Sequence, residues 1–100
     1  MKMEILGDTL RVSSVTQLGE ANASAFRDWV HAGFGEGHRN IEVDLSQTTF
    51  IDSSGLGTLI ALHKAAARRQ GRLRLLNPLP PVRQILELTR LDGILEVIER

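Results

Sequence analysis

The apolar positions of this chain switch repeatedly between a two-residue and a three-to-four-residue rhythm, and the switches mark its elements. Met3-Glu4-Ile5-Leu6 and Thr9-Leu10-Arg11-Val12 flank Gly7-Asp8, a pair suited to a two-residue hairpin turn. A hairpin over roughly residues 2–15 is expected. From Asn22 the rhythm lengthens: Ala21, Ala25, Phe26, Trp29 and Val30 recur at threes and fours, predicting an amphipathic helix with Trp29 in the core. The helix stops before Gly33-Phe34-Gly35-Glu36-Gly37, and Asn22 and Ser24 are its candidate caps. Asn40-Ile41-Glu42-Val43-Asp44-Leu45 alternates again and reads as a strand with Ile41, Val43 and Leu45 on the buried side.

Ser46-Gln47-Thr48-Thr49-Phe50-Ile51 is polar and β-prone, and leads into Asp52-Ser53-Ser54-Gly55-Leu56-Gly57. Beyond it Leu56, Leu59, Ile60, His63 and Ala67 predict a second helix. Lys64, Arg68 and Arg69 gather at its C-terminal end, where the macrodipole favours cations, and Gly71 is its expected left-handed stop. Arg72-Leu73-Arg74-Leu75-Leu76 is the next strand; strand, helix, strand implies a right-handed crossover and parallel pairing. Asn77-Pro78-Leu79-Pro80-Pro81 excludes regular structure, and Pro81 opens a third helix with Val82, Ile85, Leu86 and Thr89 inward. Leu91-Asp92-Gly93 ends it and Ile94–Ile98 is a last short strand. The order ββαβαβαβ predicts one α/β domain over residues 1–100, with three helices and a mixed sheet of four to five strands.

Composition narrows the function more than the fold. Lys plus Arg equal Asp plus Glu at 12 each, so no global field gathers nucleic acid or an anionic membrane. Four aromatic residues (Phe26, Trp29, Phe34 and Phe50) supply little base stacking. The absence of cysteine removes disulfides and thiolate metal sites. No signal-peptide core follows Met1-Lys2-Met3-Glu4, and no apolar run is long enough to span a bilayer. The expectation is a soluble, cytoplasmic protein whose partner is another protein or a small ligand.

Local preference gives way at one place, residues 52–57. Gly55 and Gly57 stand in what should be the first turns of a helix, where each costs up to about 1 kcal/mol relative to Ala. With Asp52 or Ser53 as N-cap, Ser54 falls at the first or second helical position with its hydroxyl uncommitted. A phosphate there would add about −1.5 to −2 charges beside unsatisfied N–H groups, tolerable to the fold but obstructive to anything docked on it. The glycines either let a partner backbone or a kinase-bound nucleotide phosphate approach closely, or merely allow tight strand-to-helix packing.

Other chemistries fit less well. A nucleophile elbow needs glycines two residues to either side of the serine, and Ile51 and Asp52 occupy the upstream positions for Ser53 and Ser54. No lysine follows the glycines as in a phosphate-binding loop. His31, His38 and His63 lack a metal-ligand spacing, and His63 reads as a half-buried helix-face residue. Asp44 and Asp52 read as a strand end and a cap rather than as an acid and base. Arg68-Arg69-Gln70-Gly71-Arg72-Leu73-Arg74 reads as a solvated helix end and strand margin. No catalytic residue, metal or cofactor is expected.

Phe50-Ile51-Asp52-Ser53-Ser54-Gly55-Leu56-Gly57, followed by Thr58-Leu59-Ile60, resembles the signature of STAS domains, specifically of bacterial anti-sigma factor antagonists. The resemblance covers nearly the whole chain, with Thr16-Gln17-Leu18-Gly19-Glu20 standing where family members usually carry a Gly-Glu-Leu-Asp-like stretch. It implies a non-enzymatic protein with Ser54 as phosphoacceptor and Asp52, Ser53, Ser54, Gly55, Leu56 and Gly57 as the partner-binding surface. The implied partner is an anti-sigma factor that is itself a serine kinase of the histidine-kinase-like ATPase fold. The unphosphorylated domain would sequester that kinase and free a sigma factor, and a PP2C-type phosphatase would reset it. The alternative is a docking subunit of a lipid-transport or signalling assembly that uses the same surface without a sigma factor.

Overall fold

The structure, a computed structural model, describes residues 1–100. The expected hairpin is present: β1 (Lys2–Leu6) and β2 (Thr9–Ser13) pair antiparallel around Gly7, whose φ of 64° suits the first central position of a two-residue turn. The remaining elements are β3 (Gln17–Leu18), α1 (Ala23–Gly33), β4 (Asn40–Asp44), β5 (Phe50–Ile51), α2 (Ser53–Ala67), β6 (Leu73–Leu76), α3 (Pro80–Leu88), a 3-10 turn (Leu91–Gly93) and β7 (Glu96–Ile98). Five strands form one mixed sheet in the order β1-β2-β4-β6-β7, with every pairing beyond the hairpin parallel. The βαβ units imply that arrangement. β3 and β5 form a separate two-stranded parallel pair, which has no counterpart in the predicted order.

Alternation puts Leu10, Val12, Ile41, Val43, Leu73 and Leu75 on one sheet face, where all three helices supply the other half of a single core. α1 gives that core Ala23, Phe26 and Val30. Ala21 and Ala25 are exposed, and Trp29 is half-buried at the margin, its ring 6.4 Å from that of Phe26. α2 buries Gly55, Thr58, Leu59, Leu62 and Ala66, a stripe rotated from the expected one: Leu56, Ile60 and His63 are half-buried and Ala67 is exposed. Small residues on several faces of α2 blur its periodicity. α3 begins one residue earlier than expected, at Pro80, and buries Val82 and Leu86; Thr89 is exposed and its hydroxyl donates to the Ile85 carbonyl at 2.8 Å.

Two expected helix ends are built differently. Asn22 occupies the N-cap of α1, but its side chain turns back, accepting from the Gly19 N–H and donating to the Gln17 carbonyl, both at 2.9 Å. At the end of α2 the left-handed residue is Gln70, with φ of 61°, not Gly71. The N–H groups of Gln70 and Gly71 close the helix on Ala67 and Ala66, each at 2.9 Å. Gly71 is required for another reason, since a Cβ there would run into the Arg39 carbonyl. Arg69 is not part of a solvated patch: it stacks 3.9 Å over the Phe34 ring and donates to the carbonyls of Phe34, Gly35 and His38. It binds the end of α2 to the α1–β4 loop.

The opposite sheet face carries no helix and is ordered by charge. Glu4, Arg11, Glu42, Arg74 and Glu96 stand opposite one another in register, one from each strand, alternating in sign across the sheet. Glu42 is the buried centre, with Arg11 at 2.8 Å on one side and Arg74 at 3.5 Å on the other. Glu96 takes Arg74 at 3.4 Å and Arg72 at 3.6 Å.

Candidate functional site

The β3–β5 pair exists to set the chain's direction into α2. Leu18 stands opposite Ile51, and the Asp52 N–H donates to the Leu18 carbonyl at 3.3 Å. Asp52 is the N-cap of α2, with extended backbone, and its carboxylate has two tasks. Oδ1 accepts from the Gly55 N–H at 3.1 Å, and Oδ2 accepts from the Glu20 N–H at 3.0 Å, across from the β3–α1 turn. These bonds favour the anion. The Asp52 carboxyl is held below its ordinary value of 3.8, chiefly by the Glu20 amide and next by the Gly55 amide.

With the cap filled by Asp52, Ser53 and Ser54 occupy the first two helical positions, and both are exposed. The Ser54 hydroxyl is therefore free of the capping role. Leu56 is half-buried and Gly57 is exposed, with open space where a Cβ would lie. Gly55 departs from the expected surface. It is buried, and a Cβ there would strike the Leu18 carbonyl and lie 2.8 Å from Ile51 Cγ1. Its missing side chain serves contact between α2 and β3. Thr58 continues that inward face, its hydroxyl donating to the Ala23 carbonyl at 3.3 Å and tying α2 to α1.

Beside the serine turn lies an open pocket of about 320 Å³ lined by Gln17, Gly19, Glu20, Asn22, Phe50 and Asp52, among others. Phe50 is 52% exposed at its edge, an unusual position for the chain's scarce aromatic residues. Gly19 lets the turn close, since a Cβ there would come within 2.8 Å of the Phe50 ring and 2.9 Å of Asp52 Oδ2. Phe50, Gly19 and Glu20 are the members of this site that pattern reading does not find. A two-residue strand shows no alternation, so nothing in the sequence pairs residues 17–18 with 50–51.

The other sequence candidates are dispersed. Asp44 Oδ1 accepts from the Ser46 N–H at 2.9 Å in a local turn, and Asp52 is committed to its two amides. His38 Nδ1 accepts from the Gly35 N–H at 3.0 Å. His63 lines a different open pocket, of about 350 Å³, with Gly71, Arg72, Asp92 and Glu96. No three histidine, aspartate or glutamate side chains are placed to hold a metal ion. No helix is long and apolar enough to cross a membrane.

A family model described as STAS domain matches residues 1–100. A STAS-domain containing protein of Pseudomonas aeruginosa is 34% identical over 59 residues, 59% of this chain and 58% of that protein. An anti-sigma-B factor antagonist of Listeria monocytogenes is 30% identical over 57 residues, 57% of this chain and 50% of that protein. The chain thus spans little more than half the length of the curated relatives it matches. Among solved structures, a Thermotoga maritima protein proposed to be an anti-sigma factor antagonist superposes with a TM-score of 0.89 at 29% identity, covering 99% of this chain and 85% of that one. The anti-sigma factor antagonist SpoIIAA, in its unphosphorylated form, shares the fold with a TM-score of 0.85 at 23% identity, covering 99% and 86%.

Proposed function

Because the chain belongs to the STAS domain family, we propose that it is an anti-sigma factor antagonist that works by partner switching, with Ser54 as its phosphoacceptor. One observation carries the reading: Asp52, not a serine, caps α2, which leaves an exposed Ser54 hydroxyl at the second helical position. The Listeria and Thermotoga relatives support the regulatory class.

In the unphosphorylated state the surface formed by Phe50, Asp52, Ser53, Ser54, Leu56 and Gly57 docks on an anti-sigma factor serine kinase of the histidine-kinase-like ATPase fold. The kinase is sequestered in the cytoplasm and the sigma factor is freed. Transfer of the γ-phosphoryl group from ATP to Ser54 Oγ breaks the bond to the β–γ bridging oxygen, releases ADP and the hydroxyl proton, and places a dianion next to the ionised Asp52. The helix N-terminus behind it offsets part of this charge within the domain. A partner seated on the turn has no such compensation and meets new bulk and negative charge. A PP2C-type phosphatase hydrolyses the phosphoserine and restores docking.

The test is incubation with ATP and an anti-sigma factor serine kinase from the same organism, followed by intact-mass analysis. The expected result is a gain of one phosphoryl group in the wild type and none in Ser54→Ala. Stable association with no mass gain would instead mark a passive docking subunit of a lipid-transport or signalling assembly, and a gain that survives Ser54→Ala would move the phosphoacceptor elsewhere.

A further inference from the structure

β1 pairs with β2 alone and forms one edge of the five-stranded sheet. In a two-residue hairpin the residues flanking the turn, here Leu6 and Thr9, exchange both ladder bonds. Alternation then points the N–H and C=O groups of Lys2, Glu4 and Leu6 at β2 and those of Met3 and Ile5 away from it, along the open edge. Exposed edges are ordinarily blunted by proline, by a bulge, by shortness or by charged side chains, which oppose a second strand unless it answers them with the opposite sign. β1 has neither proline nor bulge, and its Ile5 and Leu6 are 61% and 44% exposed. Its two charges, Lys2 and Glu4, are opposite in sign and two residues apart, so they lie on the same sheet face.

We propose that β1 is the docking surface for a second copy of this chain, the two β1 strands pairing antiparallel about a two-fold axis at Met3. That register sets Lys2 opposite Glu4 of the second copy, and Glu4 opposite Lys2 of the second copy. Ile5 meets Met1 of the second copy on the helix-bearing face, joining two exposed apolar side chains. A register centred on Glu4 would stack carboxylate on carboxylate, so the charges select one alignment. The row Glu96, Arg74, Glu42, Arg11, Glu4 ends on a carboxylate at the open edge. In the dimer the lysine of the second copy adds the next positive charge, and the alternation crosses the seam without a break. The interface is isologous and closes at two subunits, because each β1 has one free edge. It shares no residue with the serine turn and does not depend on phosphorylation.

The strand is short and the pairs are solvated, so the association is weak and concentration-dependent. Sedimentation equilibrium from low micromolar to millimolar protein tests it, with thermal melts confirming that each variant is folded. The wild type is expected to form dimers. Lys2→Glu and Glu4→Lys each convert both cross-seam pairs to like charges and should weaken the dimer by about tenfold or more. An equimolar mixture of those two variants places opposite charges across the seam again and should regain wild-type association, as should the double charge swap. Lys2 stands opposite Ser13 within its own chain, so its reversal leaves no intrachain ion pair broken. A wild type that stays monomeric throughout, a dimer indifferent to both reversals, or a mixture no stronger than its components would each overturn the proposal.

Discussion

Gly55 and Gly57 lie two residues apart on the same helix, yet alanine at the two positions should have opposite effects. At Gly57 a Cβ meets nothing within 4 Å, and no positive φ demands glycine there. Gly57→Ala should therefore recover the helix propensity, about 0.5–1 kcal/mol, because the alanine has less backbone freedom to lose on folding. At Gly55 the same gain is available but is outweighed. The new methyl strikes the Leu18 carbonyl oxygen and comes within 2.9 Å of its carbon, and a backbone group cannot rotate away as a side chain can. Overpacking of this kind costs about 1–3 kcal/mol. Since the obstacle is main chain, the upper end applies and the net loss is about 2–2.5 kcal/mol after the propensity gain. For a domain of this size, each kcal/mol moves the melting temperature by about 4–8 °C. Paired thermal and urea melts of the two variants should bracket the wild type, with Gly57→Ala above and Gly55→Ala below. A Gly55→Ala protein as stable as the wild type would refute the claim that this glycine is spent on β3.

Four further outcomes follow from the same contacts. Glu42→Ala leaves Arg11 and Arg74 facing each other without their shared carboxylate and should cost about 1–3 kcal/mol in urea denaturation. Arg69→Ala frees three carbonyls and the Phe34 face at once, and should lower stability by about 1–3 kcal/mol, with hydrogen exchange rising first in residues 34–39. Asp52 has a folded pKa below its unfolded one, so its contribution is complete above the ordinary value of 3.8 and is lost as pH falls below it; Asp52→Asn should flatten the stability profile in that acid range alone. Phe50→Ala should leave the melting temperature nearly unchanged while weakening calorimetric binding to the anti-sigma factor proposed as partner, because the ring is half in solvent beside the serine turn.

The sheet was legible because its strands alternate cleanly and its turns carry explicit signals: Gly7-Asp8, the glycines after α1, and the proline cluster before α3. Parallel pairing followed from the helices between the strands. The serine turn was legible through a mismatch, two glycines where a helix should start, and through its resemblance to a known signature. What pattern could not supply was contact at a distance. Gly55 and Gly71 were legible as special positions, but only the approach of the Leu18 and Arg39 carbonyls shows that both are internal requirements. The β3–β5 pair is too short to have a period, and with it went Gly19, Glu20 and the exposure of Phe50. Arg69 read as one more basic residue in a run because its three acceptors lie more than thirty positions away.

The bare side of the sheet settles a question the apolar side leaves open. Slipping a strand by one residue inverts its faces and is forbidden by burial, but a slip of two restores the same faces and costs the hydrophobic layer little discrimination. Moving β2 by two against β4 would set Arg11 opposite Asn40 or Asp44 and Glu42 opposite Thr9 or Ser13, and would unmake the ion pair at 2.8 Å. The carboxylate with least access to water would keep only the more distant Arg74, at 3.5 Å. Ionic side chains here act as the teeth of a ratchet, admitting a single setting among those that oil-like packing would accept.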